Sequence, residues 1–387
     1  MKQKIVGFIE LIKDELISIS RYIYENPEAG YKEYKAQKIL CDTLEKYGFN
    51  VEKNFLGLNT EFKAEYGTGR PCVAYFCEYD ALPEIGHGCG HNIIAATGIA
   101  AAIGLSRVID ETGGKVVVLG TPGEEIGGAK VAMAEKGVFD EIDAAMMVHP
   151  SDETAESGIS LAMDAIEFTF KGKAAHAAAN PEYGINALNA CIETFNLINA
   201  LRQHVTSDVR IHGIISEGGI AANIVPERAV AKFYVRSLKR SSLNEVVEKV
   251  KNCARAGAMG TGAGLKIRNY ELSYDNMVTN RTLSRIFSHN LKECGIIDIH
   301  GPKNSMGSLD MGNVSHVVPA IHPYIKICKK GIASHSKEFA DATQSDLANE
   351  NMIKSAKALA ITGYDIITNK NMMDEIKEEY KNQRSLF

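Results

Sequence analysis

The chain has 387 residues, 45% of them hydrophobic and 24% charged, with a formal net charge of -5. That length supports a large core and exceeds one typical domain, so two domains are expected. Lys and Arg are scattered rather than clustered, which argues against a nucleic-acid or anionic-membrane partner.

At the N-terminus Ile5, Phe8, Ile9, Ile12, Leu16 and Ile19 recur at helical spacing, with Glu10 and Asp14 inside the pattern. The segment reads as one amphipathic helix, not a secretion signal. Segment 73–77 (VAYFC) reads as a strand, 92–109 as a helix, and 115–119 (KVVVL) and 144–148 (AAMMV) as further apolar strands. The run 93–105 is rich in small residues and reads as buried; no run is expected to span a bilayer. Apolar strands alternating with helices predict a mostly parallel sheet covered on both faces.

The pattern changes near residue 165. Segment 166–170 reads as a half-buried strand, 186–204 as a helix, and 209–215 and 230–235 as strands. Ser242 and Glu245 have the spacing of a capping box opening the next helix, and a last strand is expected over 265–270. This β-α-β-β-α-β order is the ferredoxin-like split βαβ sandwich. Near 280 the α/β character resumes, with a strand over 321–327 and a helix over 345–368. The expected organisation is an α/β domain, 1–164 and 276–387, interrupted by an α+β domain at 165–275. Eight Cys without a framework spacing, in a chain with no secretion signal, predict reduced thiols and a cytoplasmic location.

Four stretches carry candidate chemistry. In the first, from Glu78 and Asp80 to Cys89-Gly90-His91-Asn92, a strand ends and a helix begins, where open α/β sheets place ligands. A glycine between Cys89 and His91 lets both heads turn to one point, and thiolate with imidazole suits zinc or another transition ion. Glu78 and Asp80 are placed to orient the imidazole. In the second, Thr121-Pro122-Gly123-Glu124-Glu125, adjacent carboxylates repel unless a metal is bound; one can ligate while the other moves a proton. His149 and His335 follow, each before or after an apolar element. Each stretch alone reads more simply as structural: a buried Cys, an acidic loop, a hydrogen-bonded His. Together they give five N, S and O ligands, Cys89, His91, Glu125, His149 and His335, and Glu124 besides, which is what a two-metal hydrolase needs.

The motifs EYDALP, GHGCGHN, TPGEE, MVHP, GKAAHAAANPEYGINALNA, GGIAANIVPERA, FYVR, GNVSHVVPAIHP and ASHS run from about residue 75 to 340. They resemble the metallopeptidase and amidohydrolase family that includes carboxypeptidase G, aminoacylase and the plant indoleacetyl-amino-acid hydrolases. Within it, the branch of aminobenzoyl-glutamate hydrolase and β-alanyl-dipeptidase-like proteins is most similar. The resemblance implies a zinc-peptidase-like catalytic domain and an inserted lid or dimerisation domain. It implies that Cys89 bridges two divalent ions, zinc or manganese, with His91, Glu125, His149 and His335 completing their shells. Glu124 becomes general base and acid, and Asp80 the carboxylate behind a ligand. Glu78 stands where other branches have a ligating His, a duty that passes to His91. His176 is implied to stabilise the oxyanion, in its own or a partner's site, and Asn223 and Arg236 to hold a substrate carboxylate. Asn92 stands where the plant enzymes have Asp, and Gly123 where Ala is usual.

The expectation is hydrolysis of an amide or peptide bond in an N-acyl amino acid or dipeptide-like substrate with a free carboxylate, by a homodimer or larger even assembly. A general dipeptidase or aminopeptidase is the alternative. A non-catalytic homologue would have no use for Glu124, and a structural zinc protein would carry more closely spaced cysteines than these.

Overall fold

The computed structural model describes residues 1–303 and 307–384. They form two compact units, one from 1–159, 277–303 and 309–384, the other from Ser160–Asn276 with 307–308.

The first unit is built on a six-stranded mixed sheet. Its strands are β1 (Asn50–Lys53), β2 (Phe62–Thr68), β3 (Cys72–Cys77), β4 (Gly114–Gly120), β5 (Ala144–Met146) and β11 (Ala320–Ile321), in the spatial order β1-β2-β4-β3-β5-β11. From β4 to β11 all neighbours are parallel, whereas β1 and β2 add an antiparallel edge. Apart from Lys115 near the start of β4, the central strands are apolar because both faces are covered. Val73, Tyr75 and Cys77 of β3 pack with the helices His91–Thr112 and Asp346–Thr368, while Cys72, Ala74 and Phe76 pack with Met133, Phe139, Met311 and Val314. A small parallel pair, β6 (His149–Ser151) and β12 (Tyr324–Lys326), continues beyond β5 and β11.

The second unit is a four-stranded antiparallel sheet in the order β10-β7-β9-β8. The strands are β7 (Ala162–Lys171), β8 (Arg210–Glu217), β9 (Arg228–Ser237) and β10 (Gly264–Asn269). Helices Ala187–Leu201 and Arg240–Thr261 complete the expected β-α-β-β-α-β order. Ile166, Phe168, Phe170, Ala231, Phe233 and Val235 form the core beneath them.

Several local expectations are corrected. The N-terminal helix breaks at Ile12 into Lys2–Leu11 and Lys13–Glu25. The strand expected at 321–327 is split by His322-Pro323, since Pro323 has no N–H for a ladder. The stretch 312–316 lies mostly in the short helix Met311–Ser315. The helix expected to open at Ser242 opens at Arg240 instead. Its start is fixed by Arg240, whose side chain binds Asp275 (2.6 Å) and Asp164 (2.8 Å) and whose N–H donates to Asn276 (3.0 Å). The helix His91–Thr112, longer than expected, is apolar and long enough to cross a membrane, yet lies almost wholly buried in the first unit.

Candidate metal centre

The parallel strands of the first unit deliver their chemistry at their carboxyl ends. Glu78 and Asp80 follow β3, Glu124 and Glu125 follow β4, and His149 opens β6 just beyond β5. Cys89 and His91 lie on either side of Gly90, the residue before helix His91–Thr112. Gly90 adopts φ +77°, and a Cβ there would stand 2.4 Å from Pro150 Cγ. Only glycine allows this left-handed turn to close on the residue after His149. His335 itself has φ +63°, rare for a side chain with a Cβ, and its N–H donates to Gly88 at 2.9 Å. That bond ties its loop to the Cys89 turn.

Three groups of potential ligand atoms result, each within 4.8 Å: Cys89, Glu125 and His335; His91, Glu124 and Glu125; and Glu78, His91 and His149. His91 and Glu125 belong to two groups each, so the three form one continuous centre. The Cys89 thiol donates to Glu125 Oε1 at 2.6 Å, and His335 Nε2 lies 3.3 Å from the same oxygen. His91 Nδ1 donates to Asp80 Oδ1 at 2.8 Å, so Asp80 fixes the tautomer. His91 Nε2, facing the centre, has no hydrogen-bond partner among the described residues. His149 Nδ1 donates to the Pro150 carbonyl at 2.7 Å, leaving Nε2 as the basic nitrogen.

The electrostatics are those of a buried acidic cluster, which suits a cation. Desolvation, then the carboxylates of Glu78, Asp310 and Glu125, push Glu124 well above the usual carboxylate range. Burial opposes a charged His91, but Asp80 and Glu78 outweigh it and hold its pKa well up. Burial and His322 depress His149 to about 3, the neutral form that ligates. The orphaned Nε2 of His91, the mixed S, N and O donors and the crowded carboxylates all fit a divalent ion.

All first-unit residues expected at the site are therefore brought together: Cys89, His91, Glu124, Glu125, His149 and His335, with Asp80 behind His91. His176, Asn223 and Arg236 lie in the second unit. His176 is exposed and its Nδ1 accepts from the N–H groups of Ala178 (3.2 Å) and Ala179 (3.1 Å). Asn223 is exposed, and Arg236 lies on β9 with its guanidinium 5.6 Å from the Tyr234 ring and its buried Nε without a hydrogen-bond partner among the described residues.

Other contributors were not legible in sequence. Glu33 accepts from Gly123 N–H, and the Tyr31 ring sits 2.8 Å from where a Gly123 Cβ would be. Gly123 also has φ +64°, which accounts for glycine where Ala is usual. Lys130 reaches Glu78, and Asp310, from a distant segment, binds the same ammonium. Local pattern gave no signal for any of these, apart from a lysine set among small residues after the Glu124–Glu125 pair.

Comparison with known proteins agrees with this geometry. Residues 163–261 match the M20 peptidase dimerisation domain. The chain is 36% identical to Xaa-Arg dipeptidase of Mus musculus over 402 aligned positions, covering 98% of this chain and 92% of that one. It is 25% identical to a p-aminobenzoyl-glutamate hydrolase chain of Escherichia coli, covering 96% and 93%. A dinuclear metal-binding peptidase of Bacillus subtilis shares the fold, with a TM-score of 0.66 at 20% identity over 91% of this chain and 99% of that one. The fold, the assembled ligands and this end-to-end similarity place the chain in the M20 peptidase family, metal-dependent hydrolases of peptide and amide bonds.

Proposed function

We propose that this chain is a two-metal dipeptidase or N-acyl-amino-acid amidohydrolase that cleaves the amide next to a free carboxylate. The observation that carries the reading is the set of three ligand groups sharing His91 and Glu125, which has donors for two ions, zinc or manganese. When bound, the ions polarise the scissile carbonyl and acidify a water. Glu124, beside Glu125, takes the proton from the attacking water and returns it to the leaving amine nitrogen. Asp80 keeps the proton of His91 on Nδ1 and its Nε2 available. Roles for His176 in oxyanion stabilisation, and for Asn223 and Arg236 in carboxylate binding, rest on the family resemblance.

Similarity to Xaa-Arg dipeptidase over nearly the whole chain favours dipeptides with a basic C-terminal residue over aminobenzoyl-glutamate. The dimerisation domain supports a homodimer or larger even assembly. All eight cysteines are unpaired, which supports a reducing, cytoplasmic setting. The test is a panel on metal-reconstituted protein: dipeptides ending in Arg or Lys, neutral dipeptides, aminobenzoyl-glutamate and N-acetyl amino acids. Turnover of C-terminally basic dipeptides above the rest is expected. No turnover of any member would overturn the reading.

A further inference from the structure

Lys130 is 0% exposed, with its ammonium 2.6 Å from Glu78 Oε1 and 2.7 Å from Asp310 Oδ1. Its own N–H donates to Asp310 Oδ2 at 3.3 Å, so Asp310 is held by two groups of one residue. The ammonium also lies 5.9 Å from the Phe76 ring. One lysine thus serves two buried carboxylates. A structural pair needs only one, and the second leaves a net negative charge in a water-poor interior, which is costly unless another cation is near.

The geometry says where that cation belongs. Lys130 occupies Oε1 of Glu78, and Oε2 lies 3.4 Å from His91 Nε2. The ring proton of His91 is committed to Asp80 at Nδ1. Nε2 of His91 and Oε2 of Glu78 therefore face each other, and an ion between them would be bound by both in place of a proton on Nε2. A ligand atom of His149 falls within the same 4.8 Å group.

We propose that Glu78 is a further ligand of the centre, binding through Oε2 the ion held by His91 and His149, and that Lys130 and Asp310 are positioning residues for it. Sharing Lys130 with Asp310 leaves Glu78 enough negative charge to donate, while the hydrogen bond at Oε1 fixes the direction of Oε2. The inference rests on the metal-centre reading and deepens it.

The test is binding of Co²⁺ to the intact protein, followed by chelator competition and by the visible absorption of the bound ion, with unfolding of the metal-free protein as control. Glu78→Gln keeps the shape and the acceptor for Lys130 but weakens the donor. Affinity at one site should fall at least about tenfold and the absorption should change. Glu78→Asp, which keeps the charge and withdraws the oxygen, should also bind more weakly. Asp310→Asn touches no ion, but gives Lys130 wholly to Glu78, and should weaken binding by roughly tenfold with the metal-free protein unfolding as before. Wild-type affinity and spectrum in both Glu78 variants would overturn the ligand assignment. Wild-type affinity in Asp310→Asn would overturn the positioning role. If the unaltered protein fails to bind Co²⁺, the metal-centre reading falls with it, so the two failures are distinguishable.

Discussion

Glu33 Oε1 accepts the backbone N–H of Gly123 at 2.9 Å, while its other oxygen accepts from Thr60 Oγ1 at 2.7 Å. A buried carboxylate from the start of the chain thus anchors the loop that presents Glu124 and Glu125. Glu33→Ala would leave two buried donors without an acceptor, at a cost of about 1–3 kcal/mol. It would also release the loop, and kcat should fall about 10- to 100-fold with KM little changed. Steady-state kinetics beside circular dichroism checks this; an unchanged kcat would refute the anchoring.

Gly90→Ala tests the turn between the first two ligands. The added methyl would meet Pro150 Cγ at 2.4 Å, in a left-handed conformation that alanine resists. Cys89 and His91 should no longer converge, and divalent-ion content should drop while the second unit stays folded. Undiminished metal in the purified variant would show that the turn tolerates a side chain.

Glu61 supplies a pH dependence away from the centre. Its side chain is buried and neither carboxylate oxygen has a hydrogen-bond partner among the described residues. Burial pushes its pKa up to about 8 from the usual 4.5, with Lys136 opposing weakly. Between those values the folded state keeps a proton that the unfolded chain has released. Stability from this group is therefore present below about 4.5 and is lost as pH rises toward 8. Glu61→Gln should remove that loss and gain on the order of 1–3 kcal/mol at pH 9, from ~1.4 kcal/mol for each pH step between the two values, discounted for relaxation. Urea unfolding of both proteins at pH 5 and pH 9 measures it; equal differences at the two pH values would contradict the assignment.

Glu124→Gln preserves shape and removes the proton acceptor. The rate should fall by about two to four decades with metal content unchanged; loss of metal instead would mean that Glu124 and Glu125 exchange roles. Mixing this variant with His176→Ala, after exchange of protomers is demonstrated, should restore part of the activity if His176 acts in a partner's site. No recovery would assign it to its own. Arg236→Ala should raise KM for carboxylate-bearing substrates, and Arg236→Lys should not restore it, because an ammonium lacks the two-pronged donor geometry of a guanidinium.

Much of this protein was determined by local sequence. Apolar strands buried on both faces, the change of pattern near residue 165, and the ligand motifs after β3 and β4 depend on periodicity and neighbouring residues, which a linear reading captures. Boundaries set by remote contacts were not readable in that way. The helix start at Arg240 depends on Asp164 and Asp275, far away in the chain, and no capping pattern encodes it. The same holds at the centre. Cys89, His91, Glu124 and Glu125 announce themselves by spacing, but their convergence with His149 and His335 needs the parallel sheet to bring distant strand ends to one edge. The supports are more remote still: Glu33 lies 90 residues from Gly123, and Asp310 lies 180 from Lys130. Such buried charges are stable only with their partners, and only tertiary structure decides which residues those partners are, because the low-dielectric interior that makes pairing obligatory does not exist until the chain has folded.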